Sequence, residues 1–371
     1  MAKQSVPKSM KSNSNDSNAG HGVNDNINAV SGEELSLLYA VNRDVPFRIQ
    51  ARLSAGMSFA FLMDRVVHEK NIAGIEFVNP ENYVVHMGTG KVSLRQPMSK
   101  GPLHLQCLPY MAPEFHESAH NDEKILDESF YNGLIRHFTA VCEYRILFLE
   151  DPFDSDETLV RFPMLTTKTA AHIYGRNAHF VQNGEQENQR GKIWEQYPVF
   201  LRDAFSHAFS AGLTVPEERF SPEKWLYILR CLRDCMVVAD KQFRFRDPET
   251  EDNTANSVLW MLIEAKEGKQ YCIPIVENKA VYQYHSCQDF DFHGMKDDNI
   301  RIGGIRKGKD DYYYLENLSN ESWEVEDPAR HIKKALFKGE SYYLEPGLIL
   351  RMQRGGHATI SNSLPERIFH K

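Results

Sequence analysis

Hydrophobic positions repeat with a helical period through much of the chain. Residues 49–67 are apolar around most of the helical circumference, which predicts a buried helix. Another helix is predicted to begin after Ser221, because serine is a preferred N-cap and Pro222 suits the first helical position. From residue 33 to about 240 the pattern therefore favours helices.

Alternating polar and apolar positions predict strands elsewhere. Residues 83–85 and 92–94 flank the sequence Gly88-Thr89-Gly90 and predict a short hairpin within the helical part. Beyond about residue 271, short alternating runs are separated by turn residues and predict further strands. The predicted fold class is α+β and multidomain, with a mainly helical domain followed by a small all-β domain.

This pattern divides the chain into five segments. They are a disordered tail at residues 1–32, a helical domain at 33–240, a connector at 241–270, a β-rich domain at 271–360 and a tail at 361–371. The first tail is rich in serine, asparagine and glycine. These residues bury little apolar surface, so the tail is predicted to be disordered.

Composition restricts the classes of function. The 371 residues carry a formal net charge of -8, which argues against binding of nucleic acid through the overall electrostatic field. No run approaches the roughly 18 apolar residues of a membrane-spanning helix, and the amino terminus lacks a secretory signal pattern. We expect a soluble, cytoplasmic protein that binds neither nucleic acid nor membranes.

Several short motifs occur in a meaningful order. Residues 75–82 read IEFVNPEN after the predicted buried helix, and residues 110–114 read YMAPE after the hairpin. Asp127 precedes another apolar helix, and Arg219 lies in a turn before the helix that follows Ser221. This order resembles the C-lobe of a protein kinase, in which a long helix leads to the catalytic loop, a hairpin and the APE segment.

The resemblance extends over roughly residues 45–360. It is similar to the bacterial serine/threonine kinases encoded beside von Willebrand factor A proteins and PP2C phosphatases, as in the tellurite-resistance phosphorylation triad. That group carries a zinc ribbon after the C-lobe and then a β domain with an "NLS…W" stretch, which resembles Asn317-Leu318-Ser319 and Trp323. The resemblance implies a degenerate C-lobe at 33–240, a lost zinc ribbon at 241–270 and an interaction domain at 271–360.

The departures from the kinase pattern concern the catalytic groups. Phe77 occupies the position of the catalytic aspartate, and Gln96 matches the aspartate of DFG. Only Asn82 matches a magnesium ligand. Too few residues precede the buried helix to form an N-lobe with a glycine-rich loop and a strand lysine. A phenyl ring neither accepts a proton nor binds magnesium. The sequence therefore predicts a protein that is not an enzyme and holds no cofactor.

The structural part of the kinase pattern is retained. Glu114 and Arg219 are predicted to form the C-lobe ion pair, and Asp127 is predicted to brace the degenerate loop. Without an N-lobe, we expect the apolar wall of the cleft, including Phe77, to be exposed as a surface for partners.

Two arrangements could instead hold zinc. Cys231 and Cys235 share a predicted helix, and Cys272, His285 and Cys287 would have to complete a site. Inert buried thiols are the favoured interpretation of these cysteines.

The second arrangement is a match to the HExxH motif of zinc peptidases. His116 and His120 would bind zinc, and Glu117 would be the general base. The motif follows Pro113 in a polar segment, whereas zinc peptidases place it in an apolar helix. The sequence therefore favours the interpretation that this segment does not bind a metal ion.

The favoured hypothesis is a non-catalytic, kinase-like regulatory or scaffold protein that binds protein partners in a bacterial phospho-signalling or stress system. The resemblance suggests von Willebrand A or PP2C-type proteins as partners. One alternative is a nucleotide-binding protein or one part of a split serine/threonine kinase, and another is an HExxH zinc metallopeptidase. The sequence leaves open whether the β domain binds a phosphopeptide, a carbohydrate or no ligand.

Overall fold

The computed structural model describes thirteen stretches of the chain. These are residues 34–41, 47–68, 75–95, 98, 110, 112–114, 128–149, 194–239, 241–248, 258–265, 268–286, 300–352 and 355–364. The helices are α1 Leu37–Ala40, α2 Ile49–His68, α3 Glu128–Phe148, α4 Val199–Ala208, α5 Ala211–Thr214 and α6 Pro222–Cys235. Among these described helices, none is both long enough and apolar enough to cross a membrane.

Strands occur throughout the described residues and form four antiparallel sheets. They are β1 Glu34–Ser36, β2 Tyr83–His86, β3 Lys91–Leu94, β4 Met236–Ala239, β5 Gln242–Phe245, β6 Trp260–Glu264, β7 Gln270–Pro274, β8 Ala280–Tyr282, β9 Arg301–Lys307, β10 Tyr313–Asn317, β11 Trp323–Asp327, β12 Ile332–Leu336, β13 Ser341–Tyr343, β14 Ile349–Arg351 and β15 His357–Ser361. The sheet orders are β1-β2-β3, β4-β5, β13-β10-β9-β8 and β12-β11-β14-β15-β6-β7.

Three local predictions are confirmed. The buried helix is α2, and the hairpin is β2–β3, which pairs Tyr83 with Leu94. Its turn includes Gly90 at φ +71, where a Cβ atom would lie 2.2 Å from the carbonyl oxygen of Ala51. Helix α6 begins after Ser221, whose hydroxyl accepts a hydrogen bond from the Lys224 amide at 3.2 Å.

The predicted fold class, with its mainly helical domain, is wrong. Helices account for 41% of the described residues and strands for 30%, and one of the four sheets has six strands. Strand β6 falls inside the expected connector at 241–270, yet it pairs with both β7 and β15. Its run of buried apolar residues has no strict alternation, so periodicity alone does not mark it as a strand.

The six-stranded and four-stranded sheets contact each other at the β11–β12 end. Asp327 ends β11 and is buried, and its carboxylate accepts hydrogen bonds from the Tyr343 hydroxyl at 2.9 Å and the Tyr342 hydroxyl at 3.3 Å. Arg330 donates to the same carboxylate at 2.8 Å. Despite opposing burial, the hydrogen bonds from Arg330 and Tyr343 lower the pKa of Asp327 to about 2. This ionised carboxylate links the two sheets.

Helix α6 belongs to both the helical part and the β part. It packs against α2 on one side and against β7 on the other. Pro222 and every residue from Trp225 to Cys235 are buried. The hydrophobic core of the helices therefore continues into the core between the sheets.

A carboxyl group is buried where α2, α3 and α6 meet. Glu143 of α3 is fully buried, and neither of its oxygens has a hydrogen-bond partner in the part of the chain that the structure describes. A Cβ atom on Gly56 of α2 would lie 2.5 Å from Glu143 Oε2 and 3.2 Å from Leu229 of α6, so only glycine leaves room for this carboxyl. Burial raises the pKa of Glu143 well above its usual range, so the folded state favours the protonated, neutral carboxyl.

We expect Glu143→Gln to change the pH dependence of stability. The native state keeps a proton that the unfolded state loses above its ordinary pKa of about 4.5, so wild-type stability falls as pH rises toward the native pKa. Within that window the slope is up to about 1.4 kcal/mol per pH unit, and Glu143→Gln removes it. Urea unfolding at pH 5 and pH 8 measures the difference. The exposed Glu128 of the same helix supplies the control variant Glu128→Gln, and parallel profiles for wild type and Glu143→Gln would contradict the prediction.

Candidate functional site

The segment that resembles a catalytic loop is folded as two consecutive 3₁₀ turns, Ile75–Val78 and Pro80–Asn82. Between them, Asn79 accepts a hydrogen bond on its side-chain oxygen from the Glu81 amide at 3.0 Å. The Asn82 amide donates to the Asn79 carbonyl at 3.1 Å, and the Asn82 carbonyl accepts from the Arg95 amide at 2.8 Å. Both asparagines are buried. The loop is thus held by hydrogen bonds within the chain.

Tyr83 anchors this loop to the helices. Its hydroxyl donates to the carbonyl oxygen of Phe77 at 2.6 Å. Its ring packs 5.2 Å from Phe59 of α2 and 5.8 Å from Phe138 of α3, measured between ring centroids. Burial raises the pKa of Tyr83 well above its usual range, so the phenol remains a neutral donor. The backbone of Phe77 is therefore held in place through its carbonyl group.

The expectation of an exposed apolar wall is wrong for Phe77. Its side chain is 5% exposed, and its 3₁₀ turn packs against α3. The neighbouring turn Pro80–Asn82 is covered by β1 and α1, and β1 pairs with β2 in antiparallel register. Leu37 of α1 is buried there. A short segment of the chain itself therefore covers this side of the loop.

Glu114 and Arg219 form a bidentate ion pair. Arg219 Nη1 lies 2.5 Å from Glu114 Oε1, and Nη2 lies 2.8 Å from Oε2. The Arg219 side chain is 3% exposed and that of Glu114 is 23% exposed. Planar guanidinium and carboxylate groups in this arrangement form two parallel charge-assisted hydrogen bonds.

The remaining N–H groups of Arg219 connect its own turn to α5 and α3. Nε donates to the carbonyl of Gly212 at 2.6 Å and Nη2 to that of Leu213 at 3.4 Å, both in α5. Nη1 donates to the carbonyl of Gly133 in α3 at 2.9 Å. Because all five N–H groups have acceptors, this buried cation has the partners that its desolvation requires.

Other residues singled out by sequence lie outside the described residues. These are Gln96, Asp127, His116, Glu117, His120 and Cys287. The structure therefore brings together Phe77 with Asn82 in one loop, and Glu114 with Arg219 in one ion pair.

A buried polar network at the junction of α6 with the β-sheets was not predicted. Asp234 of α6 is fully buried and accepts two hydrogen bonds, from the Tyr284 hydroxyl at 2.8 Å and from His285 Nε2 at 2.8 Å. His285 Nδ1 accepts from the Tyr282 amide at 2.9 Å, so the ring is neutral with its proton on Nε2. Burial lowers the pKa of His285, and Asp234 partly offsets that effect.

Cationic side chains complete this junction. The Arg233 guanidinium lies 3.9 Å from the centroid of the Tyr282 ring. Lys279, in the turn before β8, donates from Nζ to the carbonyls of Arg233 at 3.0 Å and Met236 at 2.6 Å, which are at the C-terminal end of α6. A cation there complements the helix dipole. Burial lowers the pKa of Lys279 to about 8.

The three cysteines near this junction are buried, and His285 is held by hydrogen bonds at both ring nitrogens. Cys231, Cys235 and Cys272 are buried free thiols, and burial raises the pKa of each. Both His285 nitrogens are engaged by Tyr282 and Asp234. Within the described ranges, no group of three or more histidine, cysteine or acidic side chains is arranged to hold a metal ion.

The "NLS" stretch of the β domain supports a turn. Asn317 is fully buried, and its amide nitrogen donates to the carbonyls of Glu321 at 2.7 Å and Leu336 at 2.8 Å. Its side-chain oxygen accepts from the Ser319 amide at 2.9 Å and hydroxyl at 2.7 Å. These bonds fix the connection between β10 and β11. They occupy the polar groups of Asn317.

Comparison with protein-family models gave no match, and a search of curated proteins found no relative.

We expect Glu114→Ala to lower the free energy of unfolding by about 3 kcal/mol, because it leaves the buried Arg219 guanidinium without its counter-charge. Chemical denaturation measures the loss, with Glu217→Ala as the control because Glu217 is exposed in the same turn as Arg219. Arg219→Lys should also destabilise, since an ammonium group cannot make the bidentate contact. A Glu114→Ala variant as stable as its control would contradict this account of the ion pair.

We expect Asp234→Ala to lower the free energy of unfolding by about 3–5 kcal/mol, because Tyr284, His285 and nearby cations lose their buried acceptor. Asp203→Ala on the exposed side of α4 is the matched control. Urea denaturation compares the two variants at pH 7. A loss below about 1 kcal/mol, the range of exposed ion pairs, would show that Asp234 is not an essential partner.

Proposed function

We propose that this chain is a non-catalytic, kinase-like regulatory protein that binds protein partners. The observation that carries this proposal is the packing of residues 75–82. Phosphoryl transfer requires a carboxylate that orients the substrate hydroxyl, together with carboxylate and amide ligands for magnesium. In this loop the corresponding position is Phe77, whose side chain is buried and whose carbonyl is bonded to Tyr83.

The covering of the loop supports the same proposal. Strand β1 and helix α1 pack on the turn Pro80–Asn82, and Asn82 is fully buried within it. A magnesium ligand must present its oxygen to the ion, whereas this residue lies beneath other parts of the chain. The loop thus has the properties of a packed structural element.

The Glu114–Arg219 pair supports a retained scaffold. Its geometry depends on α3, α5 and the turn before α6, and none of these contacts contributes to phosphoryl transfer. A protein that has lost catalysis but keeps such a buried pair preserves its shape, which is what a binding protein needs. On the resemblance, we propose a cytoplasmic role with von Willebrand A or PP2C-type proteins as partners in phospho-signalling.

We expect Mg-ATP to leave the thermal-denaturation midpoint unchanged. A ligand that binds only the native state adds about 2.7 kcal/mol of stability at a hundredfold excess over its dissociation constant, so nucleotide binding would be visible as a rise. The titration uses the full chain, with magnesium-free ATP as one control and an intact protein kinase as the positive control.

A magnesium-dependent rise in the midpoint would contradict the proposal. In that case the variant Asn82→Ala locates the nucleotide, since loss of the rise would place magnesium at the loop. Persistence of the rise would place the nucleotide elsewhere.

A further inference from the structure

Among the described residues, strand β12 forms one edge of the six-stranded sheet. It pairs with β11 in antiparallel register, and Ile332 lies opposite Asp327 at one end and Leu336 opposite Trp323 at the other. Its first four residues are exposed and only Leu336 is buried. An edge strand carries a row of backbone donors and acceptors that another extended chain can pair with.

The surface at this edge is cationic. A hollow of about 450 Å³ extends from β12 across β11 to the end of β14, and its lining includes Lys333 and Lys334 of β12, Glu324 of β11 and Arg351 of β14. Glu324 is contacted by Lys333 at 3.1 Å and by Arg351 at 2.8 Å, and Arg351 also contacts Glu326. Three cations therefore face two carboxylates, and the exposed lysines of β12 are the cations at the sheet edge that an acidic ligand would complement.

Apolar side chains lie at the two ends of this cationic stretch. Ile332 is 38% exposed at the beginning of β12, and Phe337 is 59% exposed directly after its end. Six residues in an extended chain span roughly 20 Å, so a short peptide can contact both ends.

The same lysines argue against pairing between two copies of this chain. The Nζ atom of Lys334 lies 5.2 Å from the centroid of the Tyr342 ring, which belongs to the four-stranded sheet. Charged residues on edge strands oppose association with an identical strand, because like charges meet. An acidic strand meets no such repulsion.

We propose that the edge of β12 binds an extended acidic peptide, which adds a strand to the six-stranded sheet. Its backbone pairs with β12, its acidic side chains lie on the face that carries Lys333, and its apolar side chains lie on the opposite face, where Ile332 is exposed. The proposal does not depend on the kinase-like role of the first part of the chain.

The test uses a fluorescein-labelled peptide of about eight residues in which glutamate alternates with valine. Fluorescence anisotropy with the full chain should show saturable binding that weakens as salt is raised from 0.1 to 0.5 M. A peptide with the same side chains but N-methyl groups on alternate residues keeps the charge and removes backbone donors. We expect it to lose binding.

Two charge variants locate the site. The double variant Lys333→Glu/Lys334→Glu should weaken binding by about tenfold or more. Lys307→Glu/Lys309→Glu, at the end of β9 and in the turn after it, should leave binding unchanged. Lys333 contacts Glu324, so reversing its charge also places two carboxylates side by side. The neutral variant Lys333→Gln/Lys334→Gln avoids that repulsion and should weaken peptide binding in the same direction.

Each contrary result overturns the proposal. Equal binding of the N-methylated peptide would mean electrostatic adsorption without strand pairing. Equal weakening by both pairs of charge variants would mean a general charge effect. Absence of binding at millimolar peptide, or concentration-dependent dimers of the free chain that the peptide cannot dissociate, would equally exclude this role for β12.

Discussion

The burial of helix α6 on nearly all of its faces is the constraint on which the rest of the structure depends. An ordinary surface helix keeps a polar face in water, but α6 buries Arg230, Arg233 and Asp234 along with its apolar residues. Isolated charges are costly to bury, so these groups need partners. Tyr284 and His285 supply them from the turn after β8. The helical part therefore cannot complete its own last helix without the β-sheets.

Buried ionisable groups make the two halves of this core respond to pH in opposite directions. His285 is neutral in the folded state, with its pKa lowered by burial, so the stability it contributes is present above its unfolded pKa near 6.5 and is lost as pH falls. Glu143 is also neutral when buried, and its contribution is lost as pH rises. Burial favours the neutral form of both groups. Their opposite pH slopes offset each other where the two windows overlap.

Local chemistry determined which features could be predicted from sequence. The N-cap at Ser221 and the β2–β3 hairpin depend on a few neighbouring residues, and the Glu114–Arg219 pair was predicted from the order of motifs. Apart from that pair, contacts between distant segments gave no such signal. Asp234 meets His285 across 51 positions, and β1 joins β2 across nearly as many. The strand β6 lacks alternation because both of its faces are largely buried.

The comparison of Phe77 with Arg219 relates the fold to the proposed function. Phe77 is buried, so its phenyl ring adds apolar contact to the fold. Arg219 is different, since its five N–H groups join α3, α5 and Glu114, and replacing it would leave several buried acceptors unpaired. Stability alone is thus sufficient to account for the ion pair. Under the proposed function, Arg219 together with Phe77 is what selection for shape without phosphoryl transfer would leave.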